Sequence, residues 1–415
     1  MGCTFWDSPL LFVLPASVVA GRLDAGDSDE SALGCRGEIA PIRAICAGAR
    51  LSMSRRGGEH EVSAERARLV KHAMLSRSLA SLTDHEIVSV LAGGERLGRG
   101  IGGATMTIRV AGTPVFVKLV ALTDLERAAG GRSTANLFDL PTWYHYGVGS
   151  AGFSAWREVL LHELATGWVL DGTAPNFPLL HHWRVVPLPV RAVTDEGAQE
   201  IERAVAFWDG SIAVRGRLQA LAGSAAAVAL FLEHVPFTLQ DWFRDQLAAG
   251  DNAGVSACAL VQDQLIHAIR CMASNGVTHF DAHFGNVLTD GERLYVSDFG
   301  LAASTQYEVT TIEKRFLETT VHHDLAYAAA QLVNAIVAGS GTLQGPAARN
   351  ASLRRYARGG AIPDIPKPLG DVIQRYAPVA VVMNDFYWRL HEGRPTTTYP
   401  AAAILTTLHR ADLLA

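Results

Sequence analysis

Cysteine is scarce in this chain. The 415 residues include five cysteines, at positions 3, 35, 46, 258 and 271, and no two of them have Cys-x-x-Cys spacing. This excludes a dense disulfide framework and the usual cysteine-based zinc sites. The pattern is typical of a protein in a reducing compartment, so a cytoplasmic location is expected.

A charge excess and a long apolar run are also lacking. The chain carries 36 Lys plus Arg against 41 Asp plus Glu, a formal net charge of −5. Such a balance argues against bulk electrostatic binding to nucleic acid or to an anionic membrane. The run Leu10–Ala20 is broken by Pro15, is too short to span a bilayer and follows no Lys or Arg, so neither a membrane span nor a signal peptide is predicted.

Apolar residues make up 49% of the chain, and a length of 415 residues suggests two to three structural units. Residues 1–69 are rich in Gly, Ala, Arg, Ser and Asp and have no sustained hydrophobic period. They are predicted to be a poorly ordered N-terminal extension, or to result from a wrongly assigned start of the reading frame. Met53 and Met74 are the alternative start positions within the chain.

Residues 70–235 are predicted to be a helical lead-in followed by a strand-rich unit. Thr83 and Glu86 have the spacing of a capping box at the start of a second helix. Strands are expected at Thr105–Val110 and Val115–Val120, after a glycine-dense stretch interpreted as a loop. Residues 123–152 are interpreted as an insertion, either a lid, a partner surface or a solvated surface loop.

Residues 236–415 are predicted to be mainly helical. The clearest helix is Ser256–Ser274, in which Val261, Leu265 and Ile269 form one apolar stripe. A strand-rich part followed by a helical part indicates an α+β chain with two lobes and not a βαβ repeat.

The chemistry is concentrated between residues 279 and 300. Asp281 precedes Asn286 by five residues, and Asp298 follows Asn286 by twelve. Asn and Asp oxygens are hard ligands suited to Mg²⁺, and a separate Asp can accept a hydroxyl proton. Phosphoryl transfer needs this combination, because its catalysis is mainly positioning and charge neutralisation.

The pattern His279-x-Asp281-x-x-x-x-Asn286, followed by Asp298-Phe299-Gly300, resembles the catalytic and metal-binding loops of the protein-kinase-like superfamily. The resemblance covers roughly residues 94–337. It implies a bilobal fold with a β-rich N-lobe and a mainly helical C-lobe, and ATP and Mg²⁺ as cofactors. It also implies that Asp281 orients the acceptor hydroxyl and that Asn286 and Asp298 hold the metal.

Upstream segments resemble the other parts of that site in the same order. Gly98, Gly100, Gly102 and Gly103 resemble the glycine-rich loop over the ATP phosphates. Lys118 resembles the phosphate-binding lysine, and Glu158 its helical partner, with Glu163 as the alternative. Main-chain atoms near Glu233 and Val235 resemble the hinge that contacts adenine, and Asp324 resembles the residue that opens the helix beneath the catalytic loop.

Each piece also has a plainer interpretation. A lone glycine run is usually a loop, Lys118 alone would be an exposed strand residue, and Asp298 could cap a turn. His279 is expected to be structural in either case. The adjacent pairs His181-His182 and His322-His323 have no partner at helical ligand spacing, so zinc is not expected.

Departures from the resemblance bear on the acceptor. Phe280 stands where protein kinases carry the Arg that pairs with a phosphorylated activation loop, so that switch is not expected here. His283 stands where a Ser/Thr kinase usually has Lys, as in aminoglycoside phosphotransferases. The Asp298-Phe299-Gly300 triplet favours a Ser/Thr-type protein kinase. The alternatives are a small-molecule kinase and a nucleotide-binding pseudokinase.

Overall fold

A computed structural model of the chain describes residues 57–100, 103–189, 194–339, 345–362 and 365–414. The architecture is mixed α+β, with one five-stranded antiparallel sheet within residues 95–233 and a mainly helical region after it. The α+β class predicted from the sequence is confirmed at this level.

The sheet has the order β1-β2-β3-β5-β4. Its strands are β1 Glu95–Gly100, β2 Gly103–Val110, β3 Thr113–Leu122, β4 Leu180–Pro187 and β5 Ala226–Glu233. The central strands β3 and β5 are almost wholly apolar and mostly buried. Two helices, α1 Gly57–Ser81 and α2 Asp84–Ala92, cover one face. The first half of a later helix, α4 Ala155–Leu170, packs on the other face.

The extension expected over residues 1–69 ends earlier than predicted. Residues 57–69 already belong to α1, and residues 1–56, including the run Leu10–Ala20, lie outside the described residues. The helix is fixed to the sheet by buried Leu75 and Leu79. The capping box of Thr83 and Glu86 is confirmed at the start of α2.

Short elements connect the sheet to the helical region. In chain order they are α3 Asp124–Ala128, a 3₁₀ turn Thr142–His145, α5 Asp195–Phe207, α6 Ile212–Ala222, β6 Phe237–Thr238, β7 Val277–Thr278, β8 Val287–Thr289, β9 Leu294–Val296, a 3₁₀ turn Phe299–Leu301 and β10 Ala303–Ser304. The remaining helices are α7 Leu239–Ala249, α8 Asp251–Ser274, α9 Thr311–Thr320, α10 His323–Gly339, α11 Gly345–Tyr356, α12 Lys367–His391 and α13 Ala401–Arg410.

One large apolar core holds the helical region together, with α8, α10 and α12 at its centre. The stripe predicted on α8 is buried, with Val261, Leu265 and Ile269 at most 3% exposed. Helices α5 and α6 also pack on this core, although they lie between two strands of the sheet in the chain.

The interpretation of residues 123–152 as a solvated surface loop is wrong for the second half of the segment, whereas residues 127–132 are exposed. Tyr144, His145 and Tyr146 are at most 2% exposed, and Trp143 stacks on Trp208 at 5.5 Å between ring centroids. Aromatic rings of this size contribute more when buried than when exposed, so the segment is drawn into the helical core. The backbone that follows them therefore lies inside the molecule, close to the predicted catalytic loop.

Candidate active site

Lys118 lies in the middle of β3 and is 5% exposed. Its Nζ donates to Oε1 of Glu158 and to Oδ1 of Asp298, each at 2.7 Å. Burial works against the charge of this amine, but the carboxylates of Asp298 and Glu158 outweigh it and raise the pKa of Lys118. The interpretation of Lys118 as an exposed strand residue is therefore wrong, and the lysine is held as a buried cation.

Glu158, and not Glu163, is the partner of that lysine. Glu158 lies in the first turn of α4, which begins after Ser154, and its side chain is 3% exposed. Glu163 lies more than one turn further on and accepts from Arg132 at 2.7 Å and from the indole nitrogen of Trp183 at 2.9 Å. Both acids are thus occupied, each with a different cation.

The loop between β7 and β8 carries Asp281 and Asn286. The amide nitrogen of Asn286 donates to the backbone oxygen of Asp281 at 3.0 Å and to its carboxylate at 3.1 Å. The loop is supported from below by Asp324, whose carboxylate accepts the backbone N–H groups of His279 at 2.6 Å and Phe280 at 2.9 Å. These bonds fix the direction of the Asp281 carboxylate.

Burial raises the pKa of Asp281 above its usual value, and the negative charge of Asp298 adds to this effect, while His283 and His279 oppose it. The two carboxylates therefore act on each other electrostatically. A carboxylate with a raised pKa is a better proton acceptor than an ordinary Asp.

A short hairpin brings Asp298 close to Asn286. Val287 on β8 pairs with Val296 on β9, so Asn286 and Ser297 are neighbours, and the backbone oxygen of Asn286 accepts from the Ser297 N–H at 3.0 Å. Asp298 itself has a left-handed backbone and 42% side-chain exposure. Burial opposes its charge, but the Lys118 ammonium lowers the pKa of Asp298 to about 2.

His279 has a structural position, as expected. Its Nε2 lies 2.9 Å from the backbone oxygen of Ser297, and its Nδ1 accepts from the N–H of Asp281 at 3.3 Å. Its ring also contacts Phe299, which in turn packs edge-on against His162 of α4. The imidazole thus joins the loop that carries Asp281 to the turn that carries Asp298.

The predicted nucleotide-binding glycines lie at the β1–β2 hairpin. Gly98 and Gly100 are on β1, Gly103 begins β2, and Gly102 lies outside the described residues. A side chain at Gly103 would overlap the backbone oxygen of Leu119, and its φ of +136° suits glycine alone. This glycine is therefore required by the packing of the hairpin on β3, whatever it binds.

Of the predicted hinge residues, Glu233 is the last residue of β5 and Val235 follows the strand. The N–H of Glu233 donates to the backbone oxygen of Leu179 at 2.8 Å. Its carboxylate accepts from Arg68 of α1 at 2.7 Å. Val235, two residues on, is half-buried. Sequence reasoning missed Arg68, because it falls inside the segment interpreted as a disordered extension.

The oxygen donors at the site suit a small hard cation. Asp298 offers a carboxylate and Asn286 an amide oxygen, and Mg²⁺ in phosphate sites commonly takes one or two protein ligands with the rest from phosphate and water. Among the described residues there is no group of three or more His, Cys, Asp and Glu side chains that would hold a metal alone. The donor set therefore fits a metal that arrives with a phosphate ligand.

Two further residues of the site were not predicted. Gly147 lies directly against the Asp281 carboxylate, and Arg157 pairs with Glu313 next to Glu158. Alternating glycines, Gly147-Val148-Gly149, are a signal of close backbone approach that was available in the sequence. Arg157 carried no such signal, because a charged residue at a helix start is ordinary.

No protein-family model matches this sequence, and a comparison with curated proteins finds no match. Among the helices that the structure describes, none has the length and apolar character needed to cross a membrane.

Proposed function

We propose that the protein is an ATP-dependent phosphotransferase with a bilobal kinase-like fold. The five-stranded sheet would be the N-lobe and the region from α7 onward the C-lobe. The observation that carries the proposal is the pair of contacts of Lys118, whose Nζ lies 2.7 Å from both Glu158 and Asp298. A buried lysine is held between two acids, and a separate loop carries the pair Asp281 and Asn286. Phosphoryl transfer requires this combination of groups.

In this proposal Lys118 neutralises the α- and β-phosphates of ATP, and Glu158 fixes its direction. The side chains of Asn286 and Asp298 would hold Mg²⁺, which when bound supplies charge neutralisation between the phosphates. Backbone amides of the β1–β2 hairpin would cover the phosphates. Main-chain atoms near Glu233 and Val235 would contact the adenine.

Asp281 would orient the acceptor hydroxyl and take its proton. The acceptor oxygen forms a bond to the γ-phosphorus while the bond to the bridging oxygen of ADP breaks. The proton passes to the Asp281 carboxylate, whose raised pKa suits this role. Positioning supplies most of the acceleration in such a step, so the Asn286 hydrogen bonds to Asp281 matter for the rate.

The acceptor class is a separate part of the proposal. The Asp298-Phe299-Gly300 triplet supports a Ser/Thr-type protein kinase. The second candidate, a kinase of small hydroxyl compounds, is favoured by one structural observation: the backbone of Gly147 lies directly against the Asp281 carboxylate. We also propose a reducing, cytoplasmic setting, because Cys258 and Cys271 are buried and free.

Label transfer from γ-labelled ATP tests the phosphotransferase proposal directly. The full chain with Mg²⁺ should label an acceptor or itself, and Asp281→Asn should abolish transfer without a change in thermal stability. Asp245→Asn is the matched control, because Asp245 is a surface acid with 67% side-chain exposure. ATP binding with no transfer in the wild type, and no effect of Asp281→Asn on a bound partner, would instead support a pseudokinase.

A further inference from the structure

The backbone at Gly147 lies against the carboxylate of Asp281. A Cβ built on Gly147 would overlap Oδ1 of Asp281, whereas one built on Gly149, two residues on, would meet nothing within 4 Å. The other carboxylate oxygen accepts from Asn286 at 3.1 Å. Only 19% of the Asp281 side chain is exposed, so most of this carboxylate is covered by the protein.

The segment 144–152, which we name the acceptor wall, is fixed at both ends. At its start His145 is buried, and its Nδ1 lies 2.8 Å from the backbone oxygen of Leu301. At its end Gly152, with a φ of +73°, packs on the backbone of Gly300. Between them the Tyr144 hydroxyl accepts from the N–H of Ala151 at 3.1 Å. The wall is thus attached to the same turn that carries Asp298.

The residues preceding the wall cover the segment after Phe299–Leu301. The carboxylate of Glu308 accepts from the hydroxyl of Ser133 at 3.1 Å and from the N–H of Thr134 at 3.0 Å. In return the N–H of Glu308 donates to the Thr134 hydroxyl at 2.9 Å. These bonds attach Ser133 and Thr134 to the segment that follows the turn of Asp298, so an extended peptide could use that segment only by displacing them.

We propose that the acceptor wall restricts the site to compact hydroxyl compounds and that an extended protein segment does not enter, which favours the second acceptor candidate over a protein kinase. This inference rests on the proposed phosphotransferase function. Its basis is the position of Gly147 on Asp281, together with the attachment of residues 133–152 to the segment at 300–308. A small alcohol needs only one oxygen within reach of the exposed part of the Asp281 carboxylate.

An acceptor panel with the full wild-type chain tests the inference without any substitution. The panel contains compact polyols, aminocyclitol glycosides and hexoses on one side, and dephosphorylated casein and Ser/Thr peptides on the other. We expect label from γ-labelled ATP on at least one compact alcohol and none on the proteins. Faster labelling of casein or a peptide than of any alcohol would overturn the inference, as would MgATP turnover with no alcohol labelled. Failure to bind MgATP at all would instead defeat the proposed function.

Gly147→Ala tests the wall itself. The new methyl group must displace either the wall or Asp281, so kcat/KM for the acceptor should fall by about 10- to 100-fold. The Kd for MgATP should stay within about twofold, because the change lies on the acceptor side of the site. Gly216→Ala in α6 is the control, since a Cβ there meets nothing within 4 Å. Unchanged acceptor kinetics in a folded Gly147→Ala protein would show that the wall does not bound the acceptor site.

Discussion

Arg157 and Glu313 form an ion pair inside the molecule, with Nη2 and Oε1 2.7 Å apart and side chains 2% and 4% exposed. Arg157 directly precedes Glu158 in α4, and Glu313 lies in the first turn of α9. The pair therefore joins the helix that fixes Lys118 to the segment that follows Asp298. The position of Glu158 depends on α9 through this contact.

Glu313→Ala should leave Arg157 as an unpaired buried cation and lower the free energy of unfolding by about 3–5 kcal/mol. Transfer should fall as well, because Glu158 loses support. Glu318→Ala, at an exposed position on the same helix, should change stability by less than about 0.5 kcal/mol. Chemical denaturation of the two variants gives the comparison, and equal effects would contradict the role of the pair.

Phe280→Ala should also be strongly destabilising. The Phe280 ring is fully buried and stacks on Phe316 of α9 at 5.3 Å between centroids. Removal of a buried aromatic ring costs about 3–5 kcal/mol, because transfer and cavity terms add. The control is Phe237→Ala, since Phe237 is 51% exposed. A small effect at Phe280 in thermal or urea unfolding would show that the residue is not a packing element between the loop and α9.

The stability of the protein should fall with acidification below pH 6.5. Burial, assisted by nearby positive charge, lowers the pKa of His145 and His181 to about 3 and that of His182 to about 4. As the pH falls, these histidines therefore take up protons in the unfolded chain while they are still neutral in the folded chain. Each such histidine contributes stability above pH 6.5 that is lost at up to about 1.4 kcal/mol per pH unit on the way down to its folded pKa.

Urea unfolding from pH 8 to pH 5 measures this slope. In His145→Phe the slope should become smaller, because one of the contributing histidines is removed. A free energy of unfolding that stays constant between pH 7 and pH 5 would contradict the buried neutral histidines.

The rate of transfer should also fall at low pH, for a reason separate from unfolding. Burial raises the pKa of Asp281, the charge of Asp298 raises it further, and the ionised carboxylate is the form that accepts a proton. Transfer should therefore decline as the pH falls through a value above the 3.8 of an ordinary Asp. The pH profile of kcat/KM, with circular dichroism at each pH to verify folding, checks this. A decline of kcat/KM that occurs only at or below pH 3.8 would show that a group other than Asp281 accepts the proton.

Local signals in the sequence predicted local structure. The apolar stripe of α8 and the capping box at Thr83 depend on contacts three or four residues apart, and both are confirmed. Strand β1 was missed, because its glycine-dense sequence has little strand propensity and the strand is stabilised by pairing with β2. Strand β1 therefore forms because it pairs with β2, and not because its own residues favour a strand.

The site was only partly accessible to the same reasoning. The resemblance assigned roles to Lys118, Glu158 and Asp298 in their order along the chain. These residues are up to 180 positions apart, so their spacing in the sequence does not give the distances between them. The burial of residues 144–152 was the larger failure. A polar and aromatic stretch between a strand and a helix is typical of a surface insertion. Only the ring contacts of Tyr144 with Trp208 and of Tyr146 with Phe280 explain why this one is buried.

The Mg²⁺ dependence of ATP binding tests the central claim most directly. Asp298→Ala leaves the Lys118–Glu158 pair in place, so the protein should fold, and Asp245→Ala is the surface control. Calorimetric titration with ATP, with and without Mg²⁺, should show tighter binding with the metal for the wild type and the control, and no gain for Asp298→Ala. Equal gains in all three proteins, or no ATP binding by the wild type, would contradict the account.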